Sequence, residues 1–120
     1  HDSVLTGNSA GSAGAIFNNN FGTITISDST MSNNISLAYG GAMSTNGSML
    51  TINDSCITDN SAPFGSGIAN LDSFGPMVNA EQNWWGASDG PSGDASGSGD
   101  SVYGNVDYTP FKVSSLPFCQ

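Results

Sequence analysis

The sequence predicts an all-β protein with the fold of a right-handed parallel β-helix, made of about three coils of 26 residues and an irregular C-terminal cap. The main observation is a repeat of constant length, because a period of about 20 to 50 residues indicates stacked supersecondary units. Residues 2–8, 28–34 and 54–60 read DSVLTGN, DSTMSNN and DSCITDN, at intervals of 26 residues. Two further observations are Gly or Asn at the corners and the lack of helical periodicity.

Each coil is expected to contain three short strands. In the first coil, residues 2–8 form a strand with Leu5 pointing inward, residues 9–13 form a turn of small residues, and residues 14–18 form a second strand. Residues 23–27 alternate β-branched apolar and polar side chains, which is typical of a half-buried strand.

The interior is predicted from the same period. Equivalent strands of successive coils pair about 4.8 Å apart along the axis, so residues about 26 positions apart become neighbours. The apolar residues at matching positions then form three inward stacks. These stacks are Leu5, Met31 and Ile57; Ile16, Met43 and Ile68; and Ile26, Ile52 and Val78.

Three asparagines fall in the same register after the first strand of each coil: Asn8, Asn34 and Asn60. A side-chain amide carries both a donor and an acceptor, so each amide can bond to the next one along the axis. We therefore expect a hydrogen-bonded stack at this corner, called the amide ladder below. The alternative is three independent asparagines in solvent-facing turns.

The charge of the chain limits its partners. The formal net charge is -9, and Lys112 is the only Lys or Arg. Because phosphate contacts need basic side chains, we expect neither nucleic acid nor an anionic membrane surface as a partner. The sequence contains no apolar run of membrane-spanning length, so membrane insertion is not expected either.

Cys56 and Cys119 are compatible with one disulfide bond in an oxidising compartment. Neighbouring strand residues point to opposite faces, so an inward Ile57 places Cys56 on the outside, where a returning tail could reach it. We predict this bridge; two free thiols are the alternative. Because the chain starts at His1 without a Met, we expect it to be the C-terminal part of a longer protein.

The repeats resemble those of bacterial cell-surface β-helix proteins, including the polymorphic outer-membrane type with its GGAI and FxxN motifs. Residues 40–43 read GGAM, and the FxxN positions carry Leu5, Met31 and Ile57 in place of Phe. The NWWG segment at residues 83–86, with the segments up to residue 111, is similar to the C-terminal end of many secreted β-helix proteins. The resemblance implies an extracellular or cell-surface location and an end that closes a long solenoid.

We expect residues 1–80 to form the coils and residues 81–120 to form the cap of the same domain. A solenoid that simply stopped would expose unpaired strand edges and its core, so terminal units act as caps. Trp84 or Trp85 has the area to lie across the last coil, with its indole N–H reaching an edge carbonyl. The alternative for these tryptophans is a platform on which sugars stack.

The stretch DGPSGDASGSGD at residues 89–100 is expected to be a solvated loop. Its carboxylates, Asp89, Asp94 and Asp100, are weak candidates for Ca²⁺ ligands, because Ca²⁺ prefers several oxygen ligands. The spacing of an EF-hand loop is absent. We therefore expect no cofactor, with Ca²⁺ as the alternative.

No catalytic constellation can be assembled from the sequence. The chain has no arginine to act as the base of a lyase, and Lys112 lies in the cap. Asp28 and Asp54 repeat at strand starts, where turn hydrogen bonds suit them better than a paired role in hydrolysis. Neither Glu81, the only glutamate, nor His1 has an evident partner.

The predicted function is that of a non-catalytic, extracellular structural or adhesive module, with assembly into fibres as one form of it. Its expected partners are other protein subunits or copies of itself at the open N-terminal edge, and surface glycans. The alternative is a carbohydrate-binding or polysaccharide-processing β-helix protein.

Overall fold

The computed structural model describes residues 2–19, 22–72 and 74–119. Within these residues the protein is all-β, without a helix, and its parallel strands stack as a β-solenoid of about four turns. No helix in this part of the chain is long and apolar enough to span a membrane. The predicted fold class is therefore confirmed, with one more turn than expected.

The described residues form strands of two to five residues each. Four belong to the first turn, four to the second, three to the third and three to the fourth: β1 (Val4–Thr6), β2 (Ser9–Ala10), β3 (Ile16–Asn19), β4 (Thr23–Ser27); β5 (Thr30–Ser32), β6 (Ile35–Ser36), β7 (Met43–Asn46), β8 (Met49–Asn53); β9 (Cys56–Thr58), β10 (Ile68–Asn70), β11 (Val78–Asn79); β12 (Pro91–Gly93), β13 (Gly99–Tyr103) and β14 (Val106–Asp107).

Equivalent strands of successive turns pair in parallel. The sheet orders are β1-β5-β9, β12-β13-β10-β7-β3 and β14-β11-β8-β4, with a short fourth sheet, β2-β6. The fourth sheet lies where a turn of small residues was predicted, at residues 9–13. The small side chains of Ser9 and Ala10 do not indicate a strand. Their backbone groups nevertheless pair with the next coil, because backbone N–H and carbonyl groups need hydrogen-bond partners whatever the side chain. Ile35 N–H donates to the carbonyl oxygen of Asn8 at 2.8 Å.

Two of the three predicted apolar stacks are confirmed in full. Leu5 pairs with Met31, which pairs with Ile57. Ile16 pairs with Met43, which pairs with Ile68, and Val102 of the fourth turn extends this second stack. Each stack runs parallel to the solenoid axis and lies in one continuous core.

The third predicted stack, of Ile26, Ile52 and Val78, is wrong in its last residue. Ile26 does pair with Ile52, but Asn79 pairs with Thr51, which places Val78 opposite Leu50 instead of Ile52. The reason is the corner between β10 and β11. From Asn70 the chain takes nine residues to reach Asn79, whereas the equivalent step in the turn before, from Thr45 to Thr51, takes six.

Residues 81–120 were predicted to be an irregular cap, but much of this segment forms the fourth turn. Strand β13 pairs with β10, and β14 pairs with β11, in the same parallel sense as the earlier turns. Residues 89–100, expected to be a solvated loop, contain β12 and the start of β13, and within β13 and β14 only Val102 and Val106 belong to the buried core. The solenoid therefore continues past the tryptophans.

The repeated Gly-Ala pairs mark where successive coils lie closest. A Cβ atom added to Gly14 would meet the carbonyl oxygen of Gly41, and one added to Gly41 would meet the carbonyl oxygen of Ser66. Only glycine leaves room for a backbone at this distance. The GGAM motif is thus explained by the stacking of the coils.

Candidate functional site

The amide ladder is present at the corner that follows the first sheet. Asn8 Nδ2 donates to Asn34 Oδ1 at 2.9 Å, and Asn34 Nδ2 donates to Asn60 Oδ1 at 3.0 Å. The backbone N–H of the earlier residue donates to the same oxygen in each step, at 3.0 Å. Each of these four bonds runs from a donor in the earlier coil to an acceptor in the later coil.

The second amide hydrogen points back towards the preceding coil. Asn34 Nδ2 also donates to the carbonyl oxygen of Leu5, and Asn60 Nδ2 to that of Met31, both at 3.0 Å. Asn34 is 0 % exposed and Asn60 8 % exposed, whereas Asn8 is exposed. The side-chain amides of Asn34 and Asn60 therefore form hydrogen bonds within the protein in place of all those that burial takes away from water.

Asp100 closes the amide ladder at its C-terminal end. Its Oδ2 accepts from Asn60 Nδ2 at 2.7 Å and from Asn60 N–H at 3.0 Å. Sequence analysis considered Asp100 only as a weak Ca²⁺ ligand and missed this role, because it follows Asn60 by 40 residues instead of 26.

Burial raises the pKa of Asp100 to about 7, against the lowering effect of the hydrogen bonds from Asn60. The neighbouring carboxylate of Asp59 contributes a smaller raising effect. The end of the amide ladder therefore changes its charge near neutral pH.

A second polar row, which sequence analysis did not identify, lies immediately before the first strand of each of the first three turns. Ser3 N–H donates to Ser29 Oγ, and Ser29 N–H to Ser55 Oγ, both at 3.1 Å. Ser55 N–H donates to Asn83 Oδ1 at 3.0 Å. The signal was the Asp-Ser pair that opens every repeat. This row has the same direction as the amide ladder.

The aspartates before these serines adopt left-handed backbone conformations. The φ angles of Asp2, Asp28 and Asp54 are 50°, 50° and 49°, and Asp is one of the few non-glycine residues found in this region with some frequency. Asp54 Oδ1 lies 3.4 Å from Lys112 Nζ. The repeat of Asp28 and Asp54 is thus tied to a repeated turn, and the only Lys or Arg of the chain lies beside one of these carboxylates.

The two tryptophans occupy different positions. Trp84 bridges to Cys56, which places Trp85 in the inward register of Ile57. Trp85 is 0 % exposed and packs in the core, and its Nε1 has no hydrogen-bond partner among the described residues, contrary to the predicted bond to an edge carbonyl. Trp85 therefore continues the first apolar stack into the fourth turn, and its faces are closed to sugars.

The predicted disulfide bond between Cys56 and Cys119 is confirmed, with the two Cα atoms 5.7 Å apart. Cys56 is fully buried because the C-terminal tail covers the outer side of β9. Lys112 N–H donates to the carbonyl oxygen of Asn83 at 2.9 Å, so the tail is held at its start as well as at its end.

The other carboxylates of the loop are held separately. Asp89 Oδ1 accepts from the Ser98 hydroxyl at 2.8 Å and from Ser98 N–H at 3.0 Å, and these bonds lower its pKa. Asp94 Oδ2 accepts from Gly104 N–H at 2.8 Å. Among residues 2–19, 22–72 and 74–119, no three His, Cys, Asp or Glu side chains come together in a way that could hold a metal ion.

An aromatic cluster on the outside of the solenoid was not foreseen. The rings of Tyr39 and Phe64 stack at a centroid distance of 5.2 Å, and Tyr103 lies 5.7 and 5.4 Å from them. Beside this cluster is a groove of about 360 Å³. It is lined by Tyr39, Asn70, Leu71, Asp94, Tyr103 and Gly104.

His1, one of the side chains considered for catalysis, lies outside the described residues. No protein-family model, curated protein or solved structure was found to match the chain. The functional argument below therefore depends on the geometry alone.

Proposed function

We propose that this chain is a non-catalytic structural or adhesive module of an extracellular or cell-surface β-solenoid. The observation that carries the proposal is the amide ladder, which runs through the turns and ends on Asp100. The polar side chains at this corner form hydrogen bonds between successive coils. Such a row specifies the stacking register of a solenoid, because each amide has one partner of the right polarity.

The use of the charged side chains supports the same function. Lys112 lies against Asp54, and the carboxylates of Asp89, Asp94 and Asp100 each accept hydrogen bonds from a different part of the chain. Hydrolysis of glycosidic bonds requires two carboxyl groups facing each other across one groove. Among the described residues that line the groove beside Tyr103, Asp94 supplies the one carboxylate.

Two properties support an extracellular location. The Cys56–Cys119 bond closes a loop across 63 positions and is buried at Cys56, and disulfide bonds of this structural kind persist mainly in oxidising compartments. The net charge of -9 keeps such a module soluble and prevents non-specific association with polyanions.

The experiment that tests the proposal is an activity screen of the oxidised chain on uronate polymers and neutral polysaccharides, with release of reducing ends and unsaturated products as the readouts. We expect no release above that of the heat-denatured chain. Turnover that is lost in Lys112→Ala or Asp94→Asn would reject the non-catalytic function.

Carbohydrate binding is a second candidate, favoured by the groove of Tyr39, Tyr103 and Asp94. Aromatic faces beside hydrogen-bonding groups in a cavity of this size suit a small polar ligand. The test is a glycan array with the wild-type chain and Tyr103→Ala. Phe74→Ala is the matched control, because Phe74 is fully exposed and lines a different cavity. Binding that Tyr103→Ala abolishes and Phe74→Ala retains would support this candidate, and no hit on the array would reject it.

A further inference from the structure

We propose that Asn46 is an acceptor site for an N-linked glycan, and that the folded chain carries such a glycan at Asn46 but not at the two other asparagines with the same sequence signal. The modification rests on the extracellular location in the proposed function, because N-linked glycans are added to chains on their way out of the cell.

The signal occurs three times in the chain. Residues 34–36, 46–48 and 53–55 read NIS, NGS and NDS, and each fits the Asn-x-Ser pattern of a glycan acceptor. A glycan is bulky and needs solvent around it. Because transfer takes place on chains that are not yet folded, the fold decides which of the three glycosylated forms can reach the native state.

The first signal lies in the amide ladder. Asn34 is 0 % exposed, and its Nδ2 donates to Asn60 Oδ1 and to the carbonyl oxygen of Leu5, both at 3.0 Å. A sugar on Nδ2 would replace one of these hydrogens and would have to fit between two stacked coils. A chain glycosylated at Asn34 therefore loses the amide ladder.

The third signal is held in a similar way. Asn53 is half-buried, and its Nδ2 donates to the carbonyl oxygen of Glu81 at 2.8 Å and to Asn79 Oδ1 at 3.3 Å. The serine of this signal, Ser55, is 0 % exposed. Both amide hydrogens of Asn53 are thus used in bonds to the next turn, and a sugar would break one of them.

The second signal has different surroundings. Asn46 is the exposed last residue of β7, and the chain leaves the strand at Gly47, whose φ is 67°. The Ser48 hydroxyl donates to the carbonyl oxygen of Asn46 at 3.3 Å, so this bond does not use the side-chain amide. Among the described residues, no partner holds that amide, in contrast to Asn34 and Asn53.

The surface beside Asn46 has room for a sugar. Gly47 and Ser48 line a groove of about 520 Å³ together with Met49 and Phe74. Met49 is 58 % exposed and Phe74 100 % exposed. Exposed apolar surface of this kind marks a place of contact, and the C–H face of a sugar ring can pack against it while the hydroxyl groups face water.

The transfer exchanges one bond for another without oxidation or reduction. The donor is an oligosaccharide joined to a lipid diphosphate. A bond forms between Asn46 Nδ2 and the anomeric carbon, and the bond from that carbon to the phosphate oxygen breaks. The lipid diphosphate leaves with the electron pair, and Nδ2 releases one of its two protons.

The test is secretion of the full chain, directed to the secretory route of a eukaryotic host by a cleavable signal peptide. The readout is the intact mass before and after treatment with a peptide N-glycosidase, followed by peptide mapping of the modified residue. Asn46→Gln removes the acceptor, and Ser48→Ala removes the signal but keeps Asn46. The matched control is Asn105→Gln, because Asn105 is exposed and lies outside any Asn-x-Ser signal.

We expect one glycan on the secreted chain, mapped to Asn46, retained in the control variant and lost in both Asn46→Gln and Ser48→Ala. A secreted wild-type chain without a glycan, or a folded one with its glycan at Asn34 or Asn53, would overturn the proposal. Mapping of the wild-type chain decides even if a variant is not secreted. Polysaccharide cleavage by a chain glycosylated at Asn46 would reject the proposed function alone, so the two failures can be told apart.

Discussion

At the N-terminal edge, Leu5 and Ile16 are half-buried and Asn8 is exposed, whereas in the fourth turn Trp85 and Val102 are almost completely buried and Asp100 accepts two hydrogen bonds. Both ends derive from the same repeat, so the difference lies in what covers them. The fourth turn is covered by its own chain, because β12 pairs with β13 and because Ala95, Tyr108 and Phe111 pack against the core. The comparison teaches that the same repeat position is packed much more tightly where further segments of the chain cover it.

The largest change in stability is expected when an apolar side chain is removed from each end in turn. Trp85→Ala should lower the free energy of unfolding by about 3 to 5 kcal/mol, because it leaves a large cavity in a closed core. Leu5→Ala at the edge should cost about 1 kcal/mol, because the side chain already contacts solvent. Urea denaturation measures both, and equal losses would show that the two ends are equally packed.

The disulfide bond should have the next largest effect. Cys119→Ser should lower the free energy of unfolding by about 2 to 4 kcal/mol, since the bond constrains a long loop in the unfolded chain. The control is Cys56→Ser/Cys119→Ser in the presence and absence of reductant, which should give identical unfolding curves. If wild-type stability did not change on reduction, the tail held against β9 would not contribute to the stability of the solenoid.

The pH dependence of stability should come from the closed end. The folded pKa of Asp100 is about 7, above the usual value of 3.8. The folded state therefore holds this proton more tightly than the unfolded state, and the resulting stability is present below pH 3.8 and is lost as pH rises through 7. We expect a loss of about 2 kcal/mol between pH 4 and 8, allowing for partial solvation. Asp100→Asn, which keeps the acceptor without the charge, should remove this loss. A wild-type profile that is flat over the same range would contradict the raised pKa of the partly buried Asp100.

The smallest effect is expected at Asn8, the first member of the amide ladder. Asn8→Ala should cost about 0.5 to 1 kcal/mol, because Asn8 is exposed and, among the described residues, its side chain donates only to Asn34. Thermal unfolding with the exposed Ser12→Ala as a control is sufficient to detect this. A loss above about 2 kcal/mol would mean that the N-terminal edge is as strongly held as the interior.

Much of the fold could be predicted because the repeat sets the strand register directly. Leu5, Met31 and Ile57 share one position of a constant 26-residue period, as do Asn8, Asn34 and Asn60, and the structure keeps both sets in line. Val78 was placed incorrectly because the corner after β10 is longer than its equivalent, and a count of residues cannot tell which corner absorbs an insertion.

The closed end was harder to predict for a different reason. Strand β13 pairs through its backbone, and its Gly, Asp and Ser residues give no apolar alternation except at Val102. Asp100 replaces an asparagine outside the 26-residue period, so neither spacing nor residue type signalled its role. The aromatic cluster of Tyr39, Phe64 and Tyr103 was missed because those residues stand at different positions of their coils and meet only after stacking.

The central claim is that the amide ladder runs in one direction and ends on a partly buried carboxyl group. The most direct measurement is a pH titration of the asparagine side-chain amides in a ¹⁵N-labelled chain. We predict that the Asn60 amide shifts with a midpoint near pH 7, that this shift is absent in Asp100→Asn, and that the Asn8 amide does not follow it. An Asn60 amide that titrates near pH 4, or not at all, would contradict the account.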